Sequence, residues 1–164
     1  MANTNAPFGF ALAERLRGAH RYVKGTATQI INGEMVMMDA NGKVVVATAA
    51  NTKLLGVCIG FEPAASTEIM VADDPDQQYY VQDDGVGGTL AQTNVGNNFD
   101  LVATAENGTF LAARMSLDTS DNSGTASAQL ALLGFHPQDA VGKYVRCRVK
   151  IREHLNRLNT GLGV

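Results

Sequence analysis

The chain has no tryptophan, only two cysteines and four prolines, and aromatic residues make up 6% of its 164 positions. Cys58 and Cys147 stand far apart, too few and too distant for a disulfide framework or a zinc site. Each lies in an apolar-patterned segment and reads as a buried free thiol. Charged residues are 18% and hydrophobic residues 45% of the total, a globular rather than a disordered composition. No apolar run approaches the roughly 18 residues of a membrane span, so no membrane partner is expected. The start, "MANTNAPFGFALAERLRG", lacks a cationic lead into a long apolar core and does not read as a secretory signal.

Motifs for chemistry are equally scarce. His20, His136 and His154 stand at no metal-ligand spacing from one another or from a cysteine, and G-x-S-x-G, H-E-x-x-H and C-x-x-C are missing. "DDGVGG", Asp83 to Gly88, resembles a phosphate cradle in glycine content alone. No lysine follows, and its two aspartates would repel phosphate, so it reads as a turn. Asp73, Asp74, Asp76, Asp83 and Asp84 cluster within twelve positions without calcium-loop spacing. They read as a solvated acidic rim, or as an acidic patch facing a partner. Catalytic residues, metal and cofactor are therefore all expected to be none.

What is present is an uneven distribution of charge. Residues 1–24 carry Arg15, Arg17, Arg21 and Lys24 against Glu14, a formal +3. Residues 25–142 set three cations against fourteen carboxylates, and residues 143–164 set six cations against Glu153. Two basic ends flank an acidic middle, which implies either an internal match or a polar partner surface. The basic C-terminal segment is patterned. In "VRCRVKIRE" the even positions are Arg146, Arg148, Lys150 and Arg152, and the odd ones are Val145, Cys147, Val149 and Ile151. Side chains alternate faces along a strand, so this segment predicts one apolar face and one cationic face. Cations on a strand also prevent aggregation between sheets. Three of these four are arginines, which suit bidentate contacts with carboxylates. The cationic row could meet a partner protein, a sister subunit or the chain's own acidic loops.

The remaining pattern is β. "GEMVMMDANGKVVVAT" is two apolar runs around Asn41-Gly42, a hairpin signal. "KLLGVCIGF" has the length and continuity of a strand buried on both faces. "STEIMVADD" and "QQYYVQDD" flank the turn-like "DPDQ", and "DGVGGTLAQTNVGNN" reads as a loop. "FDLVA", "TFLAARMSLD", "ASAQLALLGF" and the cationic segment complete a set of about eight to ten short strands, joined through "TAENG", "TSDNSG" and "HPQDAVG". Short connections exclude most parallel crossovers. The fold expected is all-β, an antiparallel β-sandwich or barrel, jelly-roll-like or tulip-like, with an extended N-terminal arm and little helix. The organisation is an N-terminal arm over 1–24, a β domain over 25–154 and a C-terminal tail over 155–164. On the arm, "NAPFGF" leaves Phe8 and Phe10 on irregular backbone, and "ALAERLRG" has room for two helical turns closed by Gly18.

Several segments together resemble a family of small structural proteins encoded beside the major capsid protein in tailed bacteriophages and prophages, the capsid cement or decoration proteins. They are "NAPFGF", "LLGVCIGFEP", "VADDPDQQYYVQDDGVGGTLAQTNVG", "ASAQLALLGF" and "VRCRVKIREHLN". The middle segment is the most specific. After "PFG" the family often carries further turn and aromatic residues, where "ALAERLRGAHRYVKG" here is shorter. The resemblance implies a β-rich protein on the outer surface of a virion, assembled in the host cytoplasm, which bridges capsid subunits and has no enzymatic residues. Its partners would be the major capsid protein and itself, as a homodimer or homotrimer. Many weak contacts repeated over a lattice suit that role. The candidate contact residues are Phe8, Phe10, Arg15, Arg17 and Arg21 on the arm, and Arg146, Arg148, Lys150 and Arg152 on the strand.

A second hypothesis is a nucleic-acid-binding β-barrel that uses the cationic strand face. Net acidity and the distance of most aromatics from that strand argue against it. A small enzyme with a scattered site is a third, supported by no motif.

Overall fold

In the computed structural model, residues 3–50, 53–105, 111–120 and 128–156 are described. Parts of the expected "TAENG" and "TSDNSG" connections, the first two residues of "TFLAARMSLD" and most of the tail lie outside them. The strands are β1 (Ala11–Leu12), β2 (His20–Val23), β3 (Met35–Met38), β4 (Val44–Val46), β5 (Gly56–Cys58) and β6 (Glu68–Ala72). They continue with β7 (Gln78–Gln82), β8 (Asn98–Phe99), β9 (Leu101–Val102), β10 (Ser116–Leu117), β11 (Leu130–Phe135) and β12 (Arg146–Ile151). The fold is all-β and every strand pair is antiparallel. Among the described residues the helical content is one 3-10 turn at Gln92–Asn94.

Two five-stranded sheets form the body. The first runs β1-β7-β12-β11-β8 and the second β2-β6-β5-β3-β4, with β9 and β10 as a separate ribbon. The second sheet curls until its ends meet, because Lys24, just past β2, bridges Val44 of β4 and the Gly25 N–H donates to the Val44 carbonyl at 2.8 Å. Period-two alternation then gives this curled sheet two apolar faces. Val36, Cys58, Ile69 and Val71 fill its interior with Ile30, Val44 and Leu55. Met35, Val57 and Ala72 point the other way, into a larger core with Tyr79, Val81, Leu130, Leu132, Cys147, Val149 and Ile151 of the first sheet. Strand β5 is accordingly buried along its whole length, as its unbroken apolar run requires. Each fully buried aliphatic side chain contributes about 1.5–3 kcal/mol, and most of this burial lies between the sheets.

Local chemistry sets the connections. The β3–β4 turn is organised by Asp39, whose Oδ1 accepts from the N–H groups of Asn41 (2.8 Å) and Lys43 (2.9 Å). Gly42 takes φ +72° whereas Asn41 stays at negative φ, so the hairpin has a five-residue loop and not the tight Asn-Gly turn expected. "DPDQ" turns as its sequence suggests, with Gln77 N–H donating to the Asp74 carbonyl at 3.0 Å. Yet β6 and β7 do not pair, because this turn carries the chain from one sheet to the other.

The N-terminal residues are extended and lie on the body. β1 pairs with β7 at the edge of the first sheet, and β2 pairs with β6 at the edge of the second. The two helical turns that "ALAERLRG" could form are replaced by strand and bends, since pairing with β7 satisfies backbone groups that an isolated short helix could not. Gln82, 5% exposed, holds the segment by its backbone: Oε1 accepts from Ala6 N–H at 2.8 Å and Nε2 donates to the Thr4 carbonyl at 2.9 Å.

Candidate interaction surface

β12 lies at the centre of the first sheet, between β7 and β11. Its alternation holds: Cys147, Val149 and Ile151 are buried, while Arg146, Arg148 and Lys150 stand on the outward face. Two of these three cations meet carboxylates of the same chain. Arg146 binds Asp139 through Nε at 3.0 and 3.1 Å and Nη2 at 2.5 Å, and the Arg146 backbone N–H adds a bond to Asp139 Oδ2 at 2.8 Å. Those bonds hold the Asp139 carboxyl below its ordinary value, the guanidinium being the main cause. Lys150 pairs with Asp76. Arg152 is half-buried and lies 3.8 Å from Glu153. Arg148 is exposed and has no ion pair among the described residues.

The arm cations divide between the sheets. Arg17 pairs with Glu14 at 2.8 Å, and Glu14 Oε1 also accepts from Gln78 N–H at 3.3 Å, so this pair sits beside the outward face of β7. The Glu14 carboxyl is lowered chiefly by Arg17, with a lesser contribution from Arg148. Arg21 lies on the second sheet, 3.5 Å from Glu68. Arg15 is exposed and has no ion pair among the described residues. Phe8 is half-buried. Phe10 corrects the expectation of an aromatic anchor on an arm. It is 3% exposed and meets Tyr79 edge-on, with centroids 6.3 Å apart at 89°, so it belongs to the core.

The acidic rim also needs correction. Asp73 and Asp83 are 4% and 1% exposed and act inside the fold. Asp83 accepts from Gly85 N–H at 2.7 Å and from Val145 N–H at 2.6 Å, fixing the start of β12. Burial pushes its carboxyl up, partly offset by these backbone donors. Asp84 accepts from Thr119 N–H and Oγ1 at 3.1 and 2.5 Å. "DDGVGG" is thus a pinned turn, and a Cβ at Gly87 would fall 2.2 Å from the Ser120 backbone. Asp73 gathers both ends of the chain: His20 Nδ1 lies 2.9 Å from each oxygen, Tyr22 Oη donates to it, and Asn156 Nδ2 reaches its carbonyl at 3.4 Å. Burial is the main cause of the raised Tyr22 pKa.

Sequence reasoning missed the counterions Asp139, Asp76 and Glu14, and the aromatic neighbours Tyr80 and His136. Asp139 precedes Arg146 by seven positions across the β11–β12 hairpin, a spacing that could have flagged it. Asp76 becomes visible only once β7 is placed beside β12 with Gln78 opposite Lys150. Tyr80 stands opposite Arg148 in the same register, and its ring meets His136 at 4.9 Å.

The outward face is thus a mixed-charge sheet surface suited to non-covalent contact. Among the described residues, a cleft of about 230 Å³ borders this face, lined by Phe8, Gln82, Asp139, Tyr144 and Arg146 among others, and clefts of about 360 and 540 Å³ open elsewhere. The cleft of about 540 Å³ is lined by Met37, Met38, Asp39, Lys53 and Leu155 among others. Among the described residues no group of three or more His, Cys, Asp or Glu side chains could hold a metal ion, and no helix is long and apolar enough to cross a membrane. No protein-family model matches the chain, and no curated protein matches it.

Proposed function

We propose that the protein is a non-enzymatic virion structural protein that binds and stabilises the major capsid protein lattice of a tailed-phage head, as a cement or decoration protein. The observation that carries this reading is the outward face of β12, where a central strand carries Arg146, Arg148 and Lys150 in a row, Arg148 exposed and its two neighbours half-buried in ion pairs. A central strand is held on both sides, so the row is rigid and repeats identically in every copy. Exposed ion pairs are worth about 0–1 kcal/mol each, and a rigid array repeated over a symmetrical shell turns such contacts into firm attachment. The sequence resemblance supplies the shell as partner, and a homo-oligomer would match a lattice axis.

The test is co-sedimentation of purified protein with expanded empty shells of a tailed-phage major capsid protein. The expected result is saturable pelleting at a fixed ratio to the capsid subunit, weakened by salt. Absence of pelleting at low salt would overturn the reading.

One observation favours the alternative, a nucleic-acid-binding barrel: Tyr80 lies directly across from Arg148, so an aromatic and a cation share the face. Asp76, Asp139 and Glu14 sit beside that face and would repel a phosphate backbone. A gel shift with single-stranded DNA at low salt separates the two, since phosphate contacts impose a steep salt dependence.

A further inference from the structure

We infer that Arg148 is the docking cation of the first sheet's outward face, and that it receives a carboxylate side chain from the protein partner. This rests on the capsid reading and names the chemistry of its contact. Along β12 the outward residues are about 7 Å apart, so Arg148 is flanked at that distance by Arg146 and Lys150. Arg146 is occupied by Asp139 and Lys150 by Asp76, while Arg17 at the neighbouring edge is occupied by Glu14. Each of these pairs cancels, and Arg148 leaves the face with a net positive charge at its centre.

The frame around Arg148 favours a planar contact. On one side it faces Tyr80, and on the other Gly134. Between Leu132 and Gly134 the β11 register shifts, which brings the glycine rather than a bulky residue opposite Arg148. A Cβ added at Gly134 would lie 3.6 Å from Arg148 Nη2, so the guanidinium rests over a floor without a side chain. Glu14 feels Arg148 but is committed to Arg17 at 2.8 and 3.2 Å and to the Gln78 N–H. A guanidinium held in this way keeps an open edge for a bidentate carboxylate. A single carboxylate fits between the neutralised pairs. A polyanion would bring its next charges onto Asp76 and Asp139.

The experiment combines variants with footprinting on shells. R148E should weaken shell binding at least tenfold and R148K about threefold, because lysine keeps the charge but loses the fork. Both should melt like the wild type, since Arg148 holds no ion pair in the described fold. Glyoxal modification should reach Arg148 in free protein and be suppressed at least tenfold on shells. Arg146, shielded by Asp139, should change little. If the wild type pellets and R148E pellets equally, or Arg148 stays reactive on shells, the inference is wrong and the capsid reading stands. If the wild type does not pellet, the inference falls with that reading. A DNA gel shift that R148E abolishes would overturn it in favour of a polyanion.

Discussion

Truncating Phe10 to alanine tests whether the N-terminal segment belongs to the folded body. Phe10 is 3% exposed and packs edge-on against Tyr79, whose hydroxyl donates to the Ala72 carbonyl at 2.9 Å. Its backbone N–H donates to the Gly33 carbonyl at 2.8 Å, so the ring is fixed over the junction of the sheets. Gly9 beside it takes φ +73°, and a Cβ there would fall 2.4 Å from the Ala113 Cβ, so the segment fits closely. Removing a buried phenylalanine costs about 3–5 kcal/mol, of which the edge-on aromatic pair accounts for about 0.5–1.5 kcal/mol. For a domain of this size that corresponds to a fall in Tm of roughly 6–20 °C. With no tryptophan in the chain, urea unfolding is followed by circular dichroism. F10A should lower the midpoint with little change in slope, and F8A, at a half-buried position, should cost less than half as much. A loss below about 0.5 kcal/mol in F10A would refute the reasoning and return Phe10 to the role of a free anchor.

The Asp139–Arg146 pair gives a pH dependence of definite sign. Because the folded carboxyl is held below its ordinary value, the pair stabilises above that value and the contribution is lost as pH falls through the folded one. R146A should therefore cost about 1 kcal/mol at pH 7, after discounting for solvent screening of a guanidinium that is 36% exposed, and the deficit should shrink in urea titrations near pH 3. Asp83 has the opposite sign: burial raises its carboxyl, so its protonated form favours folding and that contribution is lost as pH rises through the folded value. D83N removes the buried charge but turns an amide toward the N–H of Gly85 or Val145. It should still destabilise by about 1–3 kcal/mol in chemical denaturation at pH 7, and a neutral or stabilising effect would contradict the assignment. Burial pushes the Cys58 thiol up to about 12 and the Cys147 thiol higher still. Both should resist thiol reagents at pH 8 in the native state and react fully in denaturant, with fast native-state labelling of either counting against the core.

Much of the architecture was legible because β periodicity is local. The alternation in "VRCRVKIRE" places its apolar residues in the core, and the continuous run around Gly56–Cys58 marks a strand covered on both sides. What could not be read was pairing. "DPDQ" carries the same turn signal whether it joins neighbours in one sheet or crosses between two, and here it crosses. The bridge from Lys24 to Val44 that closes the second sheet has no local signature, since twenty residues separate its partners. The same limit governed the cationic row. Its direction was evident, but its neutralisation depends on register, which alone brings Asp76 beside Lys150. Phe10 and the buried aspartates were misjudged for a related reason. Glycine, proline and clustered acid suggest exposed backbone, whereas Gln82 and main-chain donors satisfied them internally.

Attachment to a symmetrical shell is tested most directly by imaging saturated, decorated shells by electron cryomicroscopy. The account predicts added density at equivalent lattice positions on the outer surface, with the first sheet turned so that Arg148 meets a capsid carboxylate. Shells without added density at saturating protein would contradict it.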